Sequence, residues 1–409
     1  MGSDTKTAAA ANEPVAIYRW DNIDWLHTPL LISTPLLALY GLATIPMLWQ
    51  TAVWSVIYYY ITGLGITAGY HRYWAHRSYD ASLPFQLFLS FAGAGAFEGS
   101  IRWWSRGHRA HHRYTDTSKD PYNSRKGLLW SHIGWMIMKQ DSSCVGRVDI
   151  SDLNKDPIVM WQHKNYLPFA LFAAFVFPSL VAGLFWGDFI GGFFFAGVAR
   201  LVFVHHATFC VNSLAHYLGD HSFDDKHTPR DHFVTALVTL GEGYHNFHHE
   251  FPSDYRNAIK FWQYDPTKWV IFVSSLVGLT YNLKMFPENE IQKGRLQMQE
   301  KVIAAAKKRL NWGVPVEQLP SLSWDEFQSE VQAGKPLLII DHVVYNVDKF
   351  MDDHPGGKGF LKASIGRDVT QSFNGGIYDH SNASRNLSSS MRYAKLEGPI
   401  PESFIAREE

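Results

Sequence analysis

From Trp25 to Tyr70 the chain carries no Asp, Glu, Lys or Arg. A run of that length is enough for two membrane crossings of about 20 residues each. Pro46 and Gln50-Thr51 mark a break, which predicts helices near 29–49 and 51–70. A second uncharged pair runs from Leu167 to Ala199, interrupted only by Trp186-Gly187-Asp188, and predicts helices near 167–187 and 190–210. Leu83 to Phe97 is too short and glycine-rich to cross, so it reads as a re-entrant or interface-lying helix. Trp269 to Phe286 reads similarly, lying along the membrane surface.

Charge sets the expected orientation. The turns around Gln50 and Asp188 hold no Lys or Arg, whereas the segment between the two apolar pairs holds Arg72, Arg77, Arg102, Arg106, Arg109, Arg113, Arg125, Lys126 and Lys139. The positive-inside rule puts that segment and both termini in the cytosol. Charged residues are only 18% of the 409, a membrane-like balance, and the net charge of −1 argues against a nucleic-acid partner. Residues 1–24 read as a polar arm whose first fifteen lack an apolar core, so no cleavable signal peptide is expected. Cys144 and Cys210 are too few for a disulfide scaffold or a zinc finger.

On the cytosolic side stand four histidine clusters. His108-Arg-Ala-His111-His112 and His245-Asn-Phe-His248-His249 repeat one spacing. Residues i, i+3 and i+4 share a helix face, so each triplet is expected to converge on one point. His71-Arg-Tyr-Trp-Ala-His76 is a third cluster, and Asn212-Ser-Leu-Ala-His216 a fourth. Neutral imidazole is a common metal ligand, and two identical triplets point to a histidine-walled metal site. Nine histidines would overfill one octahedron, so two ions are expected. At i, i+5, His71 and His76 lie about 140° apart on an ideal helix, which predicts that they serve different metals or straddle a helix end. Asn212 is the candidate tenth member, acting through a water.

The last third changes character. Residues 288–319 read as a charged helical linker, 320–400 as a small soluble domain and 401–409 as a tail. Ser323-Trp-Asp-Glu326 is a capping box, and Leu337 to Ile340 and Val343 to Val347 read as strands. His354-Pro-Gly-Gly357 lets the backbone pass close to something flat, and His380 follows among Phe350, Phe360, Leu361 and Phe373. This domain resembles cytochrome b5, which implies haem b with His354 and His380 as axial ligands. An electron-carrying haem favours iron over zinc in the histidine cage, because zinc has no redox chemistry.

The three histidine boxes resemble those of membrane fatty-acyl desaturases. Gly65-Ile-Thr-Ala-Gly-Tyr-His71, Asp120-Pro-Tyr-Asn-Ser-Arg125 and Gly241-Glu-Gly-Tyr-His245 are similar to the acyl-CoA Δ9 branch, and the C-terminal haem domain is similar to the fungal fusions. The resemblance implies a mainly α fold: a four-helix transmembrane desaturase domain at 25–287, with a cytosolic helical cap holding a histidine-ligated di-iron site, plus a small α+β cytochrome b5-like domain. It implies O2-dependent desaturation of stearoyl-CoA or palmitoyl-CoA at C9–C10 in the endoplasmic reticulum membrane. Electrons would come from NADH-cytochrome b5 reductase. The metal set would be His71, His76, His108, His111, His112, Asn212, His216, His245, His248 and His249. A membrane lipid or alkane hydroxylase with a similar cage is the alternative. For substrate, Tyr59 and Gly63 precede His71 in steps of four and are expected to line the channel for the acyl terminus. Arg102, Arg106, Arg125, Lys126 and Lys139 are candidates for the CoA phosphates.

Overall fold

The computed structural model describes residues 20–375 and 378–406. Most of the N-terminal arm and the end of the tail lie outside the described residues. The chain divides into two compact units that meet between Glu300 and Lys301.

In the first unit the uncharged run forms the helices His27–Thr44 and Trp49–Leu64. The first ends where Ile45 turns extended, just before Pro46, since a residue preceding proline is driven out of the helical region. The second pair forms two continuous helices, Tyr166–Trp186 and Phe189–Tyr217, long and apolar enough to cross a membrane. Between them Gly187 takes φ 80°, a left-handed cap that favours glycine. Asp188 then caps the next helix by accepting from Gly191 N. The tips of the two hairpins are tied to each other: Thr51 Oγ1 donates to Asp188 Oδ2 at 2.5 Å and accepts from Trp186 Nε1 at 2.8 Å. These bonds hold the two uncharged pairs in one bundle.

The stretch expected to be re-entrant is a helix at Leu83–Gly95, whose buried face carries Phe85, Leu89, Ala92 and Gly93. Its C-terminal carbonyl, Gly95 O, accepts from Arg200 Nη1 at 2.7 Å. Arg200 is buried, also donates to Ala174 O and Ala196 O, and lies over the Tyr58 ring. One guanidinium thus bonds carbonyls of three helices, one of them the end of Leu83–Gly95. The stretch 269–286 is helical only within Pro266–Leu276; Gly278 at φ 73° then turns the chain into Thr280–Tyr281, which pairs with Asp80–Ala81.

The residues after Leu64 do not continue as an α-helix. Gly65–Ala75 is a π-helix of 11 residues. Such helices usually occur as single-turn bulges at functional sites. This one packs so closely on Leu83–Gly95 that a Cβ on Gly65 would run into the backbone of Gly93.

The second unit carries a four-stranded sheet in the order Ser321–Ser323, Arg392–Glu397, Val343–Asn346, Leu337–Ile340. The capping box forms as expected, with Ser323 and Glu326 exchanging bonds at the start of Trp324–Gln332. Phe327, Leu337, Ile339, Val344 and Ala394 fill the core on one face of the sheet. The two strands expected from sequence are present within a residue of their predicted ends.

Gly65→Ala must push two backbones apart. It is expected to lower the thermal unfolding midpoint of the detergent-solubilised chain by several degrees, on the order of 1–3 kcal/mol of overpacking. Glycine-to-alanine at Gly359, where a Cβ meets nothing within 4 Å, is the matched control and is expected to change it little.

Candidate metal centre

The nine histidines form two groups, and the groups do not follow the boxes. His71, His76, His108, His112 and His248 make one; His111, His216, His245 and His249 make the other, with the nearest ring nitrogens of each group within 4.8 Å of one another. Each H-x-x-H-H triplet is therefore split. The i, i+4 pair stays together (His108 with His112, His245 with His249) and the middle member goes to the opposite group. Neighbours such as His111 and His112 point about 100° apart on a helix, so one face can serve two centres. The expectation that each triplet converges on one point is corrected accordingly. The groups abut where His112 and His249 stack, with ring centroids 4.1 Å apart.

His71 and His76 fall in the same group rather than serving different ones. The π-helix explains it: its wider i→i+5 ring, closed by His76 N donating to His71 O at 3.0 Å, turns i and i+5 towards one side. His76 is also the capping residue of that helix, so the other half of the expectation, a straddled helix end, holds.

Every converging nitrogen is an Nε2. His76 and His108 meet at 2.7 Å, His71 and His248 at 3.0 Å, His112 and His248 at 3.0 Å, His111 and His249 at 3.2 Å, and His245 and His249 at 3.1 Å. Neutral imidazoles cannot all donate to one another across such a set. Lone pairs aimed at a shared point suit a cation, so the donor set fits a metal ion in each group. Burial, reinforced by the neighbouring imidazoles, holds His76, His108, His112, His245, His248 and His249 well below the usual histidine range, leaving them neutral and ready to ligate.

Behind the rings stand residues that sequence reasoning did not single out. Glu242 Oε2 sits 3.1 Å from His71 Nδ1, and Asp120 Oδ1 sits 2.9 Å from His111 Nδ1. Thr228 Oγ1 lies 2.7 Å from His216 Nδ1 and donates to Asp116 Oδ1. Arg72, fully buried beside His71, donates to Glu242, to both oxygens of Asp265 and to Tyr255 O. Asp120 and Glu242 lie inside the motif words Asp120-Pro-Tyr-Asn and Gly241-Glu-Gly-Tyr-His245, which is the signal that could have found them.

A cavity of about 490 Å³ ends at the five-histidine group. Tyr59, Gly63, Thr67 and His71 all line it, together with His108, Trp104 and Asn212. The basic candidates do not line it. Arg102 Nε donates to Asn154, Arg125 lies 3.7 Å from Asp116, Lys126 stacks over Trp130, and the backbone of Lys139 pairs with Asn22. Arg106 lies beside the lining residues Trp103 and Trp104 in sequence but outside the lining itself.

Comparison with known proteins agrees with this geometry. The Fatty acid desaturase family matches residues 46–273, and the Cytochrome b5-like Heme/Steroid binding domain family matches residues 323–397. The "Probable acyl-CoA desaturase" of Schizosaccharomyces pombe is 55% identical over 379 residues, 93% of this chain and 78% of that one. "Acyl-CoA desaturase 1" of Saccharomyces cerevisiae is 44% identical over 390 residues, covering 95% and 76%. The human "Stearoyl-CoA desaturase" is 40% identical over 265 residues, covering 64% and 74%. The chain belongs to the fatty acid desaturase family.

The desaturase takes two non-haem irons and, in its C-terminal domain, a haem. The haem unit fits its group. His354 Nδ1 is bonded to Gly357 O and His380 Nδ1 to Phe373 O, both at 3.1 Å, so each ring keeps Nε2 as a lone-pair donor.

The cavity wall of the desaturase includes the carboxylate of Glu98. Glu98 accepts from Thr208 Oγ1 at 2.7 Å and from Trp104 Nε1 at 3.2 Å, and Trp104 in turn stacks on His108. Its accessible edge faces the cavity, and burial pushes the carboxyl from 4.5 up to about 8. Between those two values the folded chain holds a proton that the unfolded chain has lost. Stability is therefore expected to fall as pH rises through this window, by roughly 1.4 kcal/mol per unit for an ideal site. Thermal midpoints of the full chain between pH 5.5 and 8.5 check it: Glu98→Gln is expected to flatten the decline.

Proposed function

We propose that the protein is an acyl-CoA Δ9 desaturase, converting stearoyl-CoA or palmitoyl-CoA to the cis-9 unsaturated product. The observation that carries this reading is the apolar cavity whose wall includes His71 and His108 of a metal-ligating group. The acyl-CoA and stearoyl-CoA desaturases among its relatives support the substrate class.

The ligand sets of this reading are His71, His76, His108, His112 and His248 for one iron, and His111, His216, His245 and His249 for the other, with Asn212 joining through a water. His354 and His380 are the axial ligands of haem b. Bound there, these groups supply electron-driven activation of O2 and removal of one hydrogen from each of two adjacent saturated carbons. Such methylenes have no acid–base handle, so the chain's own part is positioning and exclusion of water. Tyr59 and Gly63 close the far end of the cavity, and Glu98 fixes the Trp104 ring against His108. Arg72, Glu242 and Asp120 fix the imidazole planes.

In this reading residues 25–287 form the membrane domain with four crossings, 288–319 the linker and 320–400 the haem domain. Both termini face the cytosol of the endoplasmic reticulum, and NADH-cytochrome b5 reductase delivers electrons. Arg102, Arg106, Arg125, Lys126 and Lys139 lie in the cytosolic segment that meets the CoA phosphates. The test is incubation of the purified chain with stearoyl-CoA, NADH, that reductase and O2. A C9–C10 double bond is expected; an alcohol would make the protein a hydroxylase instead.

His111→Ala and His248→Ala are each expected to remove iron from one group, lowering iron per haem towards half and abolishing turnover, while the low-spin haem spectrum stays. Metal analysis and visible spectra of the same samples check this.

A Cβ on Gly63 would run into the Leu240 Cδ1 methyl, and both residues line the cavity. Gly63→Leu is expected to shift use from 18-carbon towards 16-carbon and shorter chains. Tyr59→Ala, which opens the same end, is expected to admit longer ones. Competition between palmitoyl-CoA and stearoyl-CoA gives the ratio.

A further inference from the structure

The two histidine groups face different electrostatic surroundings through their Nδ1 atoms. In the five-histidine group the carboxylate behind His71 is Glu242, and its other oxygen accepts from the Arg72 guanidinium at 2.9 Å. The same guanidinium bonds Asp265, which also lies in the field of the Lys268 ammonium. Charges there are matched one to one. Behind His111, in the four-histidine group, Asp120 is completely buried and accepts only from uncharged partners besides the imidazole: Tyr122 N at 3.0 Å and Asp116 N at 2.9 Å. A second line of bonds runs from His216 Nδ1 through the Thr228 hydroxyl to the Asp116 carboxylate. The basic groups nearest Asp116 are both largely exposed, Arg125 and His227, each at 3.7 Å.

A carboxylate accepting an Nδ1–H makes the imidazole a stronger donor and favours the more oxidised metal. A guanidinium on the same carboxylate withdraws that effect, while in a buried site an unmatched charge acts at full strength. We propose that Asp120, acting through His111, makes the iron of the four-histidine group the harder of the two to reduce. The site is built with two unequal irons, although the side chains that ligate them directly are all imidazoles. Asp120 is a positioning residue here, since it touches the metal only through the ring. The proposal rests on the ligand sets given above.

The test uses the full chain loaded with iron-57, poised at a series of potentials and read by Mössbauer spectroscopy, with the haem followed optically. Two iron signals reducing at distinct potentials are expected in the wild type. Asp120→Asn is expected to raise the lower potential and to leave the upper one and the haem unchanged. Glu242→Gln is expected to move the upper one. Wild-type irons that reduce together, or an Asp120→Asn variant that shifts both or neither, overturn the proposal. If Asp120→Asn sheds metal, loss of one iron per chain with the more reducible signal surviving supports it, and loss of both overturns it. Failure of the desaturase reading would show separately, in the product the wild-type chain makes from stearoyl-CoA.

Discussion

Nine imidazoles, six buried and three half-buried, with their Nε2 lone pairs turned inward are the arrangement on which the rest of the first unit depends. Brought together without a cation, they would lose hydration and gain nothing, at about 1–3 kcal/mol for each buried group left unmatched. The cage is therefore coherent only as a metal site, and metal binding here is part of folding. Everything around it can be read as holding those rings in place. Carboxylates sit behind His71 and His111, a hydroxyl behind His216, and Arg72 ties Glu242 and Asp265 beside His71. The cage is assembled from helices distant in sequence, so no single helix could hold it.

The scaffold beneath the cage solves a different problem, the burial of polar backbone in an apolar bundle. The helix Leu83–Gly95 is too short to cross about 30 Å of hydrocarbon, so its end carbonyls must be met inside the protein. Ala96 N and Phe97 N meet Gly93 O and Ala94 O, and Arg200 meets Gly95 O, with two further carbonyls and the Tyr58 ring as its other partners. The segment that follows, Phe97 to Ser100, is thereby fixed as cavity wall, and it delivers Glu98 to Trp104. A structural arginine in the bundle and the shape of the cavity are connected through one helix end.

The histidine clusters and the apolar hairpins were legible in the sequence because residue type and spacing carry them. The grouping of the histidines was not. Spacing gave a shared helix face, but one face can feed two centres, and only the opposing helix decides which ring goes where: His248 joins His108 and His112, while His111 joins His245 and His249. His71 and His76 were assigned an α-helical angle, and nothing in Gly65-Ile-Thr-Ala-Gly-Tyr announces a π-helix except two glycines that permit close packing. Glu98 was invisible for a third reason. A lone carboxylate after an apolar helix reads as a surface residue until the fold closes a cavity around it.

The π-helix also accounts for the straightness of the cavity wall. In an α-helix a step of four residues overshoots one turn by about 40°, so Tyr59, Gly63, Thr67 and His71 would wind away from a single lining. Yet all four face the same cavity. The change of helix type falls between Gly63 and Thr67, at Gly65. Beyond it the turn is wider than four residues, so the same step falls short of a full turn and reverses the drift gathered before it. The feature that brings His71 and His76 to one metal group is thus the feature that keeps Tyr59 and Gly63 in line with them. One side of one helix stays in line along the cavity because that helix changes its pitch half-way.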